Sequence, residues 1–247
     1  MLPGTETPVN HLYPEREWYT TDVFTDYALH FMDESFKQHA DQPFFLYLAY
    51  NAPHFPLHAR AEDTRKYRGR FRDVGWDKLR QQRYERMVKM GLIKKEWALS
   101  PLDVPKWETY DAKLRDELDL KMALYSAIID RMDQNIGRVV EKLKSAGRLD
   151  NTLILFLADN GGCAEGMGRR KGIQFKDKDP EQLKPMTKGE LQPDMIPKRT
   201  RDGRVVKQGT GVMTGGPDTY HGYGLAWANA SNTPFRDYKH WVHEGGI

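Results

Sequence analysis

Cysteine is nearly absent from this chain: its 247 residues include only Cys163. A single cysteine excludes an intrachain disulfide and any metal site built from several thiolates. The longest apolar run, Phe44–Tyr50, is also far shorter than the about 20 residues that a membrane-spanning helix needs. Neither sign of charge dominates, because 38 Lys and Arg against 35 Asp and Glu leave a net charge of +3. We therefore expect neither a disulfide scaffold, nor a membrane protein, nor a nucleic-acid-binding protein.

The residues that follow Met1 include neither a basic segment nor an apolar one, so we predict no signal peptide in this chain. Apolar residues recur at helical spacing in three segments. The spacing predicts one helix from Thr20 or Thr21 to about His39, a second near residues 76–90, and a long third helix from about Lys113 to Ala146.

Two short apolar runs, Phe44–Tyr50 and Leu153–Ala158, lie between these helical segments. Each is continuously apolar and bounded by proline, asparagine or aspartate. Such runs are typical of strands that are buried on both faces of a parallel sheet. The order of strand, long helical crossover and strand predicts an α/β fold.

Both predicted strands are followed by polar residues. His54 lies in Asn51-Ala-Pro-His-Phe-Pro56, and Asp159 and Asn160 precede Gly161-Gly162. Ligands of open α/β sheets bind beyond the carboxyl ends of strands, so these ends are a candidate site. The oxygen atoms of Asp159 and Asn160 suit Ca²⁺ or Mg²⁺. The alternatives are a tight turn at Asp159 and Asn160, and a loop histidine bonded to backbone.

Two further features carry positive charge. Lys239 stands five residues before Glu244-Gly-Gly246, where it could bind an anionic group or remain a solvated surface charge. The segment from about 164 to 210 holds 12 Lys and Arg against 7 Asp and Glu, a net charge of +5. We interpret it as a basic surface insertion, either a solvated loop or a binding surface for a polyanion.

Considered together, five segments resemble the sulfatase family of the alkaline phosphatase-like superfamily, and arylsulfatase-like enzymes in particular. The segments are residues 19–28, Pro43-Phe-Phe-Leu-Tyr-Leu-Ala-Tyr-Asn-Ala-Pro-His-Phe-Pro56, residues 125–133, residues 147–161, and Thr233-Pro-Phe-Arg-Asp-Tyr-Lys239 with Glu244-Gly-Gly246. Each segment is unspecific alone, but their order and spacing run over most of the chain.

The resemblance implies a mostly parallel sheet sandwiched by helices and incomplete at both ends, with residues 1–247 forming part of a catalytic domain. It also implies roles for four residues. Asp159 and Asn160 match a pair of ligands for a divalent metal, usually Ca²⁺, with Mg²⁺ as the alternative. His54 matches the histidine that contacts the sulfate ester and assists the leaving group, and Lys239 matches the lysine that binds the sulfate.

The family nucleophile is a formylglycine made from Cys or Ser in a C/S-x-P-x-R motif, and this sequence contains no such motif. An upstream pair of aspartate metal ligands has no counterpart either. The resemblance therefore implies that both belong to a segment before Met1, and that this chain alone does not hydrolyse sulfate esters.

As a family member the protein is expected to be a sulfuric ester hydrolase that acts on a sulfated small molecule or glycan, in the periplasm or outside the cell. Two alternatives stay open. One is a phosphodiesterase, phosphonate hydrolase or sulfamidase of the same superfamily, and the other is a non-catalytic polyanion-binding protein.

Overall fold

The computed structural model describes residues 18–165, 183–187, 189–209 and 212–246. Five α-helices lie in these residues: α1 (Thr20–Gln38), α2 (Ala61–Tyr67), α3 (Gly75–Lys89), α4 (Ala112–Ser145) and α5 (Leu225–Asn232). Short 3-10 helices cover Trp107–Thr109 and Leu149–Asn151. The three helices predicted from apolar spacing are confirmed as α1, α3 and α4, each within about two residues of its predicted ends. None of the described helices combines the length and the apolar character needed to cross a lipid bilayer.

The chain divides into two compact units, and α4 contributes to both. The first unit comprises residues 1–52 and 130–154. Val23 and Tyr27 on α1 form an apolar cluster in this unit, and both are almost completely buried. Polar side chains hold α1 to the second half of α4. Asp22 accepts two hydrogen bonds from the guanidinium of Arg131, at 2.7 and 2.8 Å, and a third from the amide of Asn135 at 2.8 Å.

Two further ion pairs, Asp26 with Arg138 and Asp33 with Lys142, also join α1 to α4. The polar stripe of α1 is therefore bonded to basic residues of α4 instead of facing water alone. The hydrogen bond from Lys142 lowers the pKa of Asp33 below its usual value, which favours the charged pair.

The second unit comprises residues 53–129 and 155–247, and tryptophans form its core. Trp76 contacts Trp107 and Trp227 edge to face, with ring centroids 4.7 and 5.4 Å apart. Each indole N–H donates to a backbone carbonyl; that of Trp227, for example, donates to the carbonyl of Leu118 at 2.9 Å. The large apolar rings are thus buried without an unsatisfied donor. This core fixes α5, which leads directly into the segment that holds Lys239.

The structure does not confirm the two strands predicted from the apolar runs. Neither Phe44–Tyr50 nor Leu153–Ala158 forms a strand in the structure. Among the described residues the bridge pairs are Arg199 with Val205 and Lys207 with Thr219, and both are isolated. An apolar run becomes a buried strand only where neighbouring strands and helices cover it. No such cover lies over residues 153–157, whose side chains are 49–85% exposed.

The run 44–50 is covered on one side only. Residues 44, 46, 48 and 50 are half-buried, whereas residues 45, 47 and 49 are exposed. The Tyr50 hydroxyl shares a 2.7 Å hydrogen bond with Thr25 of α1, and the ring of Phe44 contacts Phe36 edge to face at 5.4 Å. This alternation has the period of two that a strand shows, and it places one face of the run on α1.

The basic insertion predicted at 164–210 lies partly outside the described residues, including Arg169 to Lys171. In its described part, basic side chains are paired with acids. Arg199 contacts Glu190 at 2.5 Å, and Arg204 contacts Asp202 at 2.9 Å. Both arginines are thus paired within the segment, whose net charge of +5 already includes these acids.

Candidate functional site

His54 and Lys239 lie 185 positions apart in sequence, and the structure brings their side chains into contact. Lys239 Nζ lies 3.2 Å from Nε2 of His54. Nδ1 of His54 lies 2.7 Å from the carbonyl oxygen of Phe55. Both contacts are satisfied when Nδ1–H donates to the Phe55 carbonyl and Nε2 accepts from the Lys239 ammonium. The fold thus orients the histidine with its second nitrogen towards the lysine.

The backbone around Lys239 is bent on both sides. Asp237 and His240 have positive φ angles of 62° and 87°, a conformation that residues other than glycine seldom adopt. The imidazole of His240 is in turn hydrogen-bonded to the carboxylate of Glu165, with Nε2 and Oε1 2.9 Å apart. These bends present the Lys239 ammonium to His54 while the Lys239 backbone stays bonded to a neighbouring loop.

That neighbouring loop carries the predicted metal ligands. The backbone N–H of Lys239 donates to the carbonyl of Gly162 at 3.1 Å, two residues beyond Asn160. Asp159 is exposed and Asn160 is half-buried, and the Asn160 amide donates to Asp159 Oδ1 at 3.1 Å. The loops that carry His54, Lys239, and Asp159 with Asn160 therefore meet in the second unit.

The donor chemistry of Asp159 and Asn160 fits a hard divalent cation. A carboxylate and an amide carbonyl are ligands that Ca²⁺ and Mg²⁺ accept, and Ca²⁺ takes six to eight oxygen atoms in all. Two residues supply only part of such a set. In the described part of the chain, no three His, Cys, Asp or Glu side chains come together as a group that could hold a metal ion.

The surroundings of His54 are partly apolar. The ring of Tyr220 contacts Phe55 edge to face at 6.0 Å, directly beside His54. Burial raises the pKa of the Tyr220 hydroxyl and of the Cys163 thiol, so both stay protonated at neutral pH. Cys163 is next to Gly162 in sequence, but a protonated thiol is a poor nucleophile.

Sequence reasoning missed the residues that join these loops. Asn232 bonds the Gly162 loop to the segment around Lys239, and Glu165 bonds to His240. Neither residue has a local signal in the sequence, because each acts through partners at least five positions away. Asn232 lies within Ala-Ser-Asn-Thr-Pro, a pattern that by itself indicates only the end of a helix ahead of a proline.

Comparison with known proteins identifies the family. The sequence model described as Sulfatase matches residues 3–208, which include His54, Asp159 and Asn160. The chain belongs to the sulfatase family. Family membership supports an alkaline phosphatase-like fold for the protein, whereas the described residues are mainly helical and do not form the sheet of that fold.

The relatives that the chain resembles are sulfatases of bacteria and eukaryotes. An uncharacterized sulfatase of Schizosaccharomyces pombe is 29% identical over 97% of this chain and 38% of its own length. An arylsulfatase of Klebsiella aerogenes is 31% identical over 84% of this chain and 39% of its own length. The N-sulphoglucosamine sulphohydrolase of Homo sapiens is 32% identical over 49% of this chain and 22% of its own length. The chain thus spans well under half the length of each.

A solved structure also resembles this chain. The crystal structure of Ps i-CgsB matches it with 28% sequence identity and a TM-score of 0.36, over 60% of this chain and 22% of the other.

Proposed function

We propose that this chain provides the sulfate-binding part of a sulfuric ester hydrolase of the arylsulfatase type. The observation that carries the proposal is the contact between Lys239 and His54 in a chain that belongs to the sulfatase family. A sulfate monoester is an anion, and a lysine ammonium binds an anion as a point charge. His54 is exposed and Lys239 is half-buried, so both can reach a ligand that arrives from solvent.

His54 can serve the leaving group as well as the sulfate. With its Nδ1–H bonded to the Phe55 carbonyl, Nε2 is the nitrogen that takes up a proton on the Lys239 side. An ester oxygen that displaces the contact between Nζ and Nε2 would accept a hydrogen bond from Lys239. A proton on Nε2 would then be placed for transfer to the leaving oxygen as the S–O bond breaks.

Asp159 and Asn160 would hold part of a divalent metal site, for Ca²⁺ or alternatively Mg²⁺. A bound divalent cation neutralises the negative charge of sulfate oxygens and stabilises the charge that develops in the transition state. The backbone bond from Lys239 to Gly162 supports this assignment, because it keeps the lysine loop beside the metal-ligand loop. The sulfate would then lie between the cation and the Lys239 ammonium.

Hydrolysis itself needs a nucleophile that this sequence does not encode. No Cys or Ser of the chain stands in a C/S-x-P-x-R motif. We therefore expect this chain to bind a sulfate ester without turning it over. Export to the periplasm or the exterior belongs to the same proposal, and fractionation of the source cells tests it.

The binding half is tested with 4-nitrophenyl sulfate and isothermal titration calorimetry. We expect Lys239→Met to weaken binding about tenfold or more, because a charge-assisted hydrogen bond contributes about 1.5–3 kcal/mol. His54→Ala should weaken it as well. Lys144→Met, at an exposed position of α4, is the matched control and should leave binding unchanged. Equal affinity in the wild type and the Lys239 variant would contradict the proposal.

The catalytic half is tested with the same compound by following release of 4-nitrophenol. We expect no turnover by the purified chain above that of the His54→Ala variant. Turnover by the wild type that this variant loses would show that the chain contains a nucleophile after all.

The polyanion-binding alternative has a separate test. Binding of a sulfated glycan through the basic insertion should decline steeply with salt and should be lost on charge reversal at Arg169, Arg170 and Lys171.

A further inference from the structure

Asn232, the last residue of α5, joins three backbone segments through one side-chain amide. Its Oδ1 accepts a hydrogen bond from the N–H of Gly162 at 2.7 Å. Its Nδ2 donates to the carbonyls of Asp237 and Gly245, at 2.9 and 2.7 Å. The amide thus uses its acceptor and both of its donor hydrogens, each on a different segment.

Two of these segments carry the candidate site. Gly162 follows Asn160 by two residues, and Asp237 precedes Lys239 by two residues. The N–H of Lys239 also donates to the carbonyl of Gly162. Consequently the loop of the metal ligands and the loop of the sulfate-binding lysine are bonded both to Asn232 and to each other.

The segments meet too closely to shift independently. A Cβ atom at Gly161 would lie 1.7 Å from the carbonyl oxygen of Gly245, so glycine is needed for this approach. A Cβ atom at Gly162 would lie 3.0 Å from Oδ1 of Asn232. The Tyr223 hydroxyl is closer still to that position, at 2.6 Å, and the amide of Asn232 adds hydrogen bonds to this packing on both loops.

The helix that ends at Asn232 is firmly held. Trp227 of α5 is completely buried, and its indole N–H donates to the carbonyl of Leu118. Thr233, the next residue after α5, is buried and donates its hydroxyl hydrogen to the carbonyl of Asn229 at 3.1 Å. Asn232 therefore bonds the two loops to the end of a helix that is itself fixed in place.

We propose that Asn232 is a positioning residue that sets the separation between Lys239 and the Asp159–Asn160 pair. At that separation a cation on Asp159 and Asn160 and the Lys239 ammonium contact the same sulfate ester, so the cation and the ester strengthen each other's binding. This inference rests on the proposed function, since it assumes that Lys239 binds the sulfate and that Asp159 and Asn160 bind the cation.

The test compares Asn232→Asp with the wild-type chain. Aspartate keeps an oxygen for the N–H of Gly162, but it loses both donor hydrogens and places a carboxylate against two carbonyls. The affinity for 4-nitrophenyl sulfate is measured by calorimetry with and without Ca²⁺. In the wild type we expect Ca²⁺ to tighten binding about tenfold, a typical coupling between two sites. In the variant we expect that factor to decrease to less than about twofold.

Asn151→Asp is the matched control, because Asn151 is an exposed asparagine outside the candidate site. It should retain the full effect of Ca²⁺. Circular dichroism establishes that each variant is folded. A purely structural role of Asn232 would lower the melting temperature and leave the effect of Ca²⁺ intact. An unchanged effect of Ca²⁺ in folded Asn232→Asp would overturn the inference.

A second test uses the wild-type protein alone, so its result does not depend on whether a variant folds. The side-chain NH₂ resonances of Asn232 should shift when Ca²⁺ is added and shift again with 4-nitrophenyl sulfate. Resonances that respond to neither ligand, while both bind, would also overturn the inference. If the wild type does not bind the sulfate ester better than the His54→Ala variant does, the proposed function itself is wrong, and the two failures are thereby distinguished.

Discussion

Gly75 begins α3 at a position where both the backbone and the packing exclude a side chain. Its φ angle is +69°, and a Cβ atom would lie 2.3 Å from Cγ of Trp107. The indole of Trp107 is itself fixed by its hydrogen bond to the carbonyl of Arg72. Nothing near Gly75 can therefore yield without disturbing the tryptophan core.

We expect Gly75→Ala to lower the free energy of unfolding by about 2–4 kcal/mol, the sum of left-handed backbone strain and overpacking. Urea denaturation measures the change. Gly91→Ala is the matched control, because Gly91 has a φ of +72° and nothing within 4 Å of a Cβ atom. It should cost only about 1 kcal/mol of backbone strain. Equal losses in the two variants would mean that the contact with Trp107 is unimportant.

The pairing of α1 with α4 holds the first unit together. Asp22 and Arg131 form a two-fold hydrogen-bonded ion pair, and their side chains are only 14% and 24% exposed. Exposed ion pairs contribute little, but partly buried pairs with two hydrogen bonds contribute more. The pair should therefore have a measurable coupling energy.

A double-mutant cycle with Asp22→Asn and Arg131→Gln should give a coupling of about 1–2 kcal/mol in the free energy of unfolding. The same cycle on His30 and Glu34, a pair on α1 with a 3.6 Å separation and side chains 36% and 50% exposed, is the control. It should give no more than about 0.5 kcal/mol. A coupling at Asp22 and Arg131 as small as that of the control would assign the helix pairing to Val23 and Tyr27 instead.

Helices and strands differed in how well the sequence predicted them, and the reason is the range of the interactions. α1, α3 and α4 follow from local periodicity, because a helix satisfies its backbone hydrogen bonds within a few residues. The runs 44–50 and 153–158 have the composition of buried strands, but a strand needs partners elsewhere in the chain. The described residues provide none, so composition alone predicted the wrong structure.

The candidate site shows the same division. His54, Asp159 and Asn160 could be selected from the sequence because they follow apolar runs, and Lys239 from its spacing to Glu244. Their assembly could not be predicted, because it depends on backbone bonds such as that from Lys239 to Gly162. The structure shows these residues on adjoining loops, and their roles in sulfate and metal binding stay predictions.

His58 links the stability of the whole molecule to pH. It is partly buried, and its Nε2–H donates to the carbonyl of Thr219 at 2.7 Å. Burial lowers the pKa of the imidazole below its ordinary value of 6.5. As the pH decreases through 6.5, the unfolded chain takes up a proton before the folded chain does, and the folded state loses stability.

We expect the free energy of unfolding of the wild type to decrease between pH 7 and pH 5 more steeply than that of His58→Gln. Glutamine keeps an N–H donor for Thr219 but does not titrate. His39→Gln, at an exposed position, is the control and should follow the wild type. Urea denaturation at several pH values measures these slopes. Parallel slopes for the wild type and His58→Gln would show that the pKa of His58 is the same in both states.

The six tryptophans form two groups that fluorescence can distinguish. Trp76, Trp107 and Trp227 are at most 6% exposed, whereas Trp18, Trp97 and Trp241 are 47–60% exposed. Iodide therefore quenches the red-shifted emission of the second group and spares the blue-shifted emission of the core. Trp241 lies two residues from Lys239, so the quenchable fraction contains a fluorophore beside the proposed sulfate site. Intrinsic fluorescence thus separates the buried tryptophans of the core from the exposed ones, which include a fluorophore two residues from the proposed sulfate-binding lysine.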